Sequence, residues 1–279
     1  MADKISVGNV EIIAVLDMVP PPRDTAVFFP DVTKQDWAPY EDDVLENGQL
    51  QLYYGCFFVR SQGEVILVDT GMGPGPHRKL GNLTGDLLNR LKHQGVGADD
   101  VDMVVHTHLH PDHVGWNLDQ SGAKPSPYFP RAQYLVPRLD WEHFTRPEVL
   151  KSAAHVTDNV TPLEQLGIME LVDSDHDVTD EVSTRATPGH TPGHQAIMIS
   201  SQGEKAMIVG DVLHSKVQIQ EAGWCAGVDI DKQQSRRSRE ELLRMAEDES
   251  YIVAAGHFHP NDHLGRVIRL EGRRYWQAL

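Results

Sequence analysis

The feature that most constrains this chain is a run of metal-binding side chains directly after a short apolar stretch. His108, His110, Asp112 and His113 follow the apolar residues 103–105, which are too few for a helix and β-branched, so they predict a buried strand. Side chains alternate along an extended chain, so His108 and His110 can point to the same cation. Asp112 and His113 turn onward toward a second. Imidazole and carboxylate groups suit zinc and its first-row neighbours, so the sequence predicts a metal site where a strand ends in a loop.

The remaining composition indicates an ordinary soluble globular protein. The chain has 279 residues, of which 40% are hydrophobic and 24% charged, enough to build a large core, and we expect residues 1–279 to form a single domain. The formal charge of −16 argues against nucleic acid as a partner, because binding phosphate backbones requires clustered Lys and Arg. No secretory signal and no run of about 18 apolar residues is evident. We therefore expect a cytoplasmic protein with no membrane partner.

The order of the motifs resembles that of a known family. The pattern Thr-His-x-His-x-Asp-His-x-Gly at 107–115 is similar to the signature of the metallo-β-lactamase superfamily, and further motifs end at His190, Asp211 and His257. The resemblance spans roughly residues 50–265. It implies an α+β protein with a four-layered αβ/βα sandwich, built from two similar β-rich halves. The tetrapeptide Ser-Gln-Gly-Glu, which occurs at 61–64 and again at 201–204, agrees with such an internal duplication.

The resemblance also implies a ligand set for two divalent metal ions, zinc first, with manganese, cobalt or iron as alternatives. Asp211 would bridge both ions, and Asp69 would support the ligands from behind. His194 lies four residues after His190 and could compete with it for a metal, but we expect it behind the ligands or on the strand face. His106 is either a core histidine or a further ligand. The ligands of one ion would be His108, His110 and His190, and those of the other Asp112, His113 and His257.

These ligands predict a dinuclear hydrolase. A carboxylate that bridges two cations traps a hydroxide between them, which can attack a carbonyl or phosphoryl centre. The substrate would be a small, apolar ester, lactone or organophosphate, as in the lactonase-like and methyl-parathion-hydrolase-like branches of the family. Two alternatives are a mononuclear iron enzyme similar to persulfide dioxygenases and a thioesterase similar to glyoxalase II.

The leaving group of such a reaction needs a proton, for which Asp112 and His214 are the two candidates. Similar acyl-homoserine lactonases usually carry Tyr at the position of His214, so this chain resembles the methyl-parathion-hydrolase-like proteins more closely there. Trp116 and Trp224 lie near predicted strand ends and would form the walls of an apolar pocket. Phe28, Phe29 and Phe258 are further candidates for this pocket.

The segment 17–48 stands out because prolines alternate with aromatic residues. This composition predicts a long loop, and a loop of this length in a compact domain is often functional. We expect a flap over the site or a contact to another subunit in a homodimer, although a plain packed loop fits as well. Helices are predicted over 84–93 and over 231–247, the latter capped by Asp231.

Overall fold

The computed structural model describes residues 3–279 and forms two β-sheets that pack face to face, each covered by helices on its outer side. This is the predicted α+β four-layered sandwich. In chain order, the strands are β1 (Lys4–Val7), β2 (Val10–Met18), β3 (Leu45–Glu46), β4 (Gln49–Leu50), β5 (Tyr54–Ser61), β6 (Glu64–Val68), β7 (Met103–Val105), β8 (Leu118–Asp119), β9 (Ser126–Pro127), β10 (Gln133–Pro137), β11 (Met169–Val172), β12 (Asp177–Thr179), β13 (Val182–Ala186), β14 (Gln195–Ser201), β15 (Glu204–Ile208), β16 (Ile252–Ala254), β17 (Leu264–Leu270) and β18 (Arg273–Ala278).

The helices are short except for one. The longest begins at Lys232, where the Asp231 side chain accepts a hydrogen bond from the Gln234 amide at 2.9 Å, so the predicted cap is confirmed. The α-helices are α1 (Thr25–Phe28), α2 (Lys34–Trp37), α3 (Glu41–Val44), α4 (Leu87–His93), α5 (Pro111–Val114), α6 (Arg138–Phe144), α7 (Pro147–Leu150), α8 (Ala154–Asn159), α9 (Thr161–Leu166), α10 (Val217–Gln220) and α11 (Lys232–Asp248). None of the helices in residues 3–279 has the length and apolar character needed to cross a membrane.

Each of the two large sheets has seven strands, in the order β1-β2-β5-β6-β7-β10-β11 and β12-β13-β14-β15-β16-β17-β18, and the described residues also form two small pairs, β3-β4 and β8-β9. The alternation along β2 shows how one strand serves two layers. Ile12 faces the second sheet, where it contributes to the core between the sheets. Ile13 faces the opposite way and packs with Leu87 and Leu91 of α4. Each such fully buried side chain stabilises the fold by about 1.5–3 kcal/mol.

The repeated tetrapeptide forms the same turn in both sheets. Gln62 and Gly63 join β5 to β6, Gln202 and Gly203 join β14 to β15, and all four have positive φ, as a two-residue type I′ hairpin requires. The Ser61 and Ser201 hydroxyls, at the start of the two turns, both donate to the carboxylate of Glu181, at 2.9 and 2.6 Å. The two halves are therefore linked at equivalent positions, as a duplicated fold predicts.

The segment 17–48 differs from the predicted long loop, because it contains α1, α2 and α3. Two of these begin at polar caps. The Asp24 carboxylate accepts from the Ala26 amide, and Thr33 and Asp36 form a capping box. Pro30 lies between α1 and α2 and Pro39 between α2 and α3, and each of the three helices has four residues. The role of this segment as a flap or a subunit contact stays a prediction.

One predicted helix starts later than expected. Helix α4 begins at Leu87 rather than at residue 84, and Leu83, which precedes it, is 36% exposed. Cys56 and Cys225 are free, buried thiols.

A close contact between Gly55 and Gly256 joins the two halves of the sandwich next to His257. The Gly55 amide donates to the Gly256 carbonyl at 3.1 Å, and the Tyr53 amide donates to the His257 carbonyl at 3.3 Å. A Cβ atom on Gly55 would lie 2.8 Å from the Gly256 oxygen, closer than any side chain tolerates. The contact thus depends on glycine, and it fixes His257 against the first half.

Candidate metal centre

The candidate ligands come from five places along the chain and meet at one edge of the sandwich. His108 and His110 follow β7, and α5 carries Asp112 and His113. The other three follow β13, β15 and β16 and come from the second half, so neither half holds the whole set. These three are His190, Asp211 and His257.

In the first group of ligands, ring nitrogens face one another. His110 Nδ1 lies 2.8 Å from His190 Nε2 and 3.1 Å from His108 Nε2. Asp211 Oδ2 lies 3.1 Å from His190 Nε2. Two imidazoles bound tetrahedrally to one zinc ion place their nitrogens about 3.3 Å apart, given Zn–N bonds of about 2.0–2.1 Å. The group is therefore close to the spacing that a single ion requires.

The second group faces the other oxygen of the same carboxylate. Asp211 Oδ1 lies 2.9 Å from His257 Nε2 and 3.1 Å from His113 Nε2. Asp112 Oδ2 completes the group at 3.9 Å from each of these two nitrogens. One oxygen of Asp211 thus serves each group, which is the arrangement of a bridging carboxylate.

Asp69 orients two of these histidines from behind. Its carboxylate lies 2.8 Å from His113 Nδ1 and accepts from the Thr107 hydroxyl at 2.7 Å. Because that hydroxyl donates to Asp69, it accepts at 3.0 Å from His108 Nδ1. Both imidazoles therefore have Nδ1 held by a partner and direct Nε2 at the site. Asp69 follows β6 with φ 61°, a left-handed conformation that turns its side chain beneath the ligands.

Asp229, which sequence analysis missed, performs the same task for His190. Its Oδ1 accepts from His190 Nδ1 at 2.7 Å, and its Oδ2 accepts from the Ser235 hydroxyl at 3.0 Å. The Arg239 guanidinium lies 3.7 Å away and is fully buried. Burial raises the pKa of Asp229, but the His190 hydrogen bond and nearby positive charge outweigh it and lower the pKa to about 2. Asp229 therefore stays ionised near neutral pH.

Two more supports come from residues without any local motif. His257 Nδ1 donates to the Tyr53 carbonyl at 2.8 Å, which leaves Nε2 free for the site. Asp140, buried in α6, accepts from the Leu109 amide at 3.1 Å and from the Thr191 hydroxyl at 2.8 Å, so it ties the loop of one half to that of the other. Burial raises the pKa of Asp140 to about 6. Tyr53 and Asp140 are recognised only from tertiary contacts, because no short sequence motif marks them.

The two remaining histidine alternatives are resolved by their partners. His194 Nε2 accepts from the Asp211 amide at 2.9 Å, so this nitrogen is occupied and His194 lies behind the bridging residue, as its supporting role predicts. His106 contacts the Asn117 side-chain amide at 3.0 Å and is fully buried beside Asp69. It is a hydrogen-bonded core histidine.

The pKa values show that the site favours positive charge at its centre. Burial lowers the pKa of the histidines here, and for His108 and His110 it lowers the value well below the usual range. For the histidines nearest Asp211, the carboxylates outweigh burial and raise the pKa, to about 9 for His190. Metal ions that displace the protons from these histidines would supply the same positive charge.

Unpaired polar atoms at the centre of the site also indicate a place for positive charge. Within residues 3–279, His113 Nε2 and Asp211 Oδ1 are buried and have no hydrogen-bond partner, although they lie 3.1 Å apart. Leaving buried polar atoms unpaired is costly. Divalent cations between the two groups would satisfy both atoms, so the donor set fits two ions.

A cavity of about 300 Å³ opens over the two groups. His214 lies in its wall, with Nε2 3.3 Å from Asp211 Oδ2 and its ring stacked on His257 at 5.4 Å. Both candidate proton donors, Asp112 and His214, therefore face the cavity. Its other lining residues are Arg23, Phe28, Leu52, Tyr54, Met72, Lys79, Leu80, His110, Pro111, His190, Asp211, Val228 and His257.

Of the five predicted aromatic pocket residues, Phe28 lines this cavity and the other four do not. Trp116 is turned into the core, where its indole donates to the Asp17 carboxylate at 2.8 Å. Phe29 and Trp224 pack on Trp37 in a separate aromatic cluster. Phe258 packs on Trp276 and lines a neighbouring cavity. Trp116 and Trp224 were predicted from their proximity in sequence to strand ends, which does not give the side-chain direction.

Comparison with known proteins now identifies the family. The model of the Metallo-beta-lactamase superfamily matches residues 54–257. This chain belongs to the metallo-β-lactamase superfamily. An N-acyl homoserine lactonase of Bacillus thuringiensis is 27% identical over 224 residues, which cover 75% of this chain and 82% of the relative. The N-acyl homoserine lactonase AttM of Rhizobium radiobacter is 26% identical over 44% of each chain.

Solved structures of the superfamily share the fold. The hydrolase AbOPH superposes with a TM-score of 0.86 at 23% identity, covering 99% of this chain and 96% of that one. AidC, a dizinc quorum-quenching lactonase, superposes with a TM-score of 0.83 at 22% identity, with the same coverage. With the family match and these relatives, the chain is a metallo-hydrolase, and the lactonase-like branch of the superfamily fits it.

Proposed function

We propose that this metallo-hydrolase binds two zinc ions and hydrolyses a small lactone or ester with an apolar substituent. The observation that carries the proposal is the position of Asp211, whose two oxygens face separate groups of ligands at 2.9–3.1 Å. Two cations bound there would supply an activated water and polarise the substrate oxygen. The residues of the first ion would be His108, His110, His190 and Asp211, and those of the second Asp112, His113, His257 and Asp211.

The cavity supports the class of substrate. Its volume of about 300 Å³ is at the small end of ligand pockets, and Phe28, Leu52 and Val228 give it an apolar wall. The relatives at 27% identity are N-acyl homoserine lactonases, so we place a lactone first. A phosphotriester is second, because a hydroxide held between two cations can attack a phosphoryl centre as well as a carbonyl carbon.

The mononuclear alternative is less well supported by the same geometry. An enzyme with one iron needs one complete group of ligands. Here a second group, formed by Asp112, His113 and His257, lies on the far oxygen of Asp211. The glyoxalase II-like reading shares the two-metal centre and differs in substrate.

A panel of substrates tests the proposal. The purified protein, loaded with zinc and assayed for metal content, is given a γ-lactone, an aryl ester, a thioester and a phosphotriester. We expect two zinc ions per chain and the highest kcat/KM for the lactone or the ester. Turnover confined to the thioester would instead assign the glyoxalase II-like function, and thiol-dependent oxygen uptake with one iron would assign the oxygenase.

Replacement of His214 by Phe separates proton donation from metal binding. We expect retention of both zinc ions and a roughly 10²-fold fall in kcat, the size typical of losing one general acid. The loss should be larger for alkyl than for 4-nitrophenyl leaving groups, because a good leaving group departs without a proton. A fall in zinc content would show that His214 is a ligand, and an equal loss on both leaving groups would leave Asp112 as the donor.

A further inference from the structure

Tyr54 lies beside the candidate metal centre and has no role in the mechanism proposed above. It is the first residue of β5, and its ring meets that of His257 edge to face at 5.8 Å. Tyr54 is only 5% exposed, yet it lines the same cavity as Asp112 and Asp211. A buried tyrosine hydroxyl usually has a hydrogen-bond partner.

The hydrogen bond to Tyr54 determines which way its proton points. Arg23 Nη2 lies 3.1 Å from Tyr54 Oη. Arginine can only donate, so the phenolic oxygen is the acceptor in this bond. Among residues 3–279, no group accepts the hydrogen bond that the Tyr54 hydroxyl can itself donate. The proton is therefore free to point to a molecule in the cavity.

Arg23 is itself well fixed. Its backbone pairs with that of Leu50 through two hydrogen bonds of 2.8 Å. Its Nε is buried without a hydrogen-bond partner, and no carboxylate in the described part of the chain lies within ion-pair distance of its guanidinium. The Arg23 guanidinium is therefore not paired with a carboxylate in the described residues, and it can interact with Tyr54 and with a molecule in the cavity.

The environment also keeps Tyr54 protonated. Burial raises its pKa, and the charge of Asp112 raises it further, to well above the value of a free phenol. The hydrogen bond from Arg23 fixes the Tyr54 oxygen, and the hydroxyl hydrogen can still rotate toward the cavity.

We propose that Tyr54 is a catalytic residue that donates a hydrogen bond to the substrate oxygen on which negative charge develops, and that Arg23 is a positioning residue that holds its hydroxyl. This inference rests on the proposed hydrolase function. Such donors act mainly in the transition state, because they contact the oxygen most strongly when it carries charge.

The test compares Tyr54→Phe with Tyr134→Phe in the zinc-loaded full-length protein. Tyr134 is a matched control, since its buried hydroxyl also makes one hydrogen bond, to the Asn117 carbonyl at 3.2 Å, away from the cavity. With phenyl acetate as the probe, we expect Tyr54→Phe to lower kcat by roughly 100-fold with little change in KM. Tyr134→Phe should stay near wild type.

Binding of a phenyl methylphosphonate ester, a stable tetrahedral mimic, gives a readout independent of turnover. We expect Tyr54→Phe to weaken it by at least tenfold and Tyr134→Phe to leave it unchanged. Equal behaviour of the two variants in kcat and in phosphonate affinity would overturn the proposal. An inactive wild type with all the probes would instead refute the proposed function.

If Tyr54→Phe fails to bind two zinc ions, the pair can be tested through Arg23. Arg23→Met should lower kcat with phenyl acetate and weaken the phosphonate, and Arg23→Lys should recover part of both, because lysine can still donate to Oη. Arg23→Met with the kcat and phosphonate affinity of wild type would overturn the proposal.

Discussion

Replacing Asp211 with Ala is expected to abolish turnover and to leave the purified protein with fewer than two bound metal ions. The carboxylate lies between the two ligand groups, with one oxygen facing each, so its removal separates the ions and leaves several buried histidines without a counter-charge. We expect kcat/KM to fall by more than the roughly 10³-fold that losing one electrostatic stabiliser costs. Elemental analysis and the esterase assay, performed on one preparation, measure both effects.

Asp211→Asn distinguishes the charge of this residue from its shape. The amide retains one oxygen and a similar volume but has no charge, so it can serve at most one ion well. We expect loss of one zinc ion rather than both. An Asp211→Ala protein with two ions and activity within a few-fold of wild type would contradict the bridging role.

Replacing Asp229 with Asn is expected to weaken zinc binding by roughly 10- to 100-fold, the usual effect of removing a partner behind a metal-binding histidine. His190 Nδ1 donates to Asp229 at 2.7 Å, and this bond fixes both the tautomer and the ring orientation of His190. Competition with a chelator of known affinity measures the change. Asp231→Asn is the matched control, because Asp231 lies two residues away and Asn is an equally good helix cap.

The pH dependence of this effect follows from the low pKa of Asp229. The pKa is near 2 in the folded protein and 3.8 for an ordinary Asp, so the support is fully present above about pH 4 and is lost only as the pH falls toward 2. We therefore expect Asp229→Asn to bind zinc more weakly than the wild type both at pH 6 and at pH 8, because Asp229 is ionised at both values. A difference that disappears within this interval would show that another group dominates His190.

The candidate metal ligands, which the structure brings together, could be picked out from the sequence because each one stands in a short motif at the end of an apolar strand. The periodicity of the strands and the repeated turn at residues 61–64 and 201–204 also indicated two equivalent halves. These features are local, so they can be recognised before any tertiary contact is known.

The supporting residues were not predictable for the opposite reason. Asp140 and Asp229 accept hydrogen bonds from groups that lie far away along the chain or across the sandwich, and no spacing marks them. Trp116 shows the converse error. It directly follows the metal-binding loop, but its indole bonds to Asp17 in the core, so proximity in sequence did not place it in the pocket.

The segment 17–48 gives a third case, in which a local signal was present but was outweighed. Thr33 and Asp36 stand at the spacing of a capping box, and they do begin a helix. The five prolines at 20, 21, 22, 30 and 39 favoured a loop, whereas in the structure the first three precede α1 and the other two lie between short helices.

Anomalous diffraction at the zinc edge from crystals of the zinc-loaded protein tests the central claim most directly. We predict two peaks about 3.5–4 Å apart, with Asp211 between them and the histidines of each group around its own ion. A single peak, or two peaks held by residues other than these seven, would contradict the account.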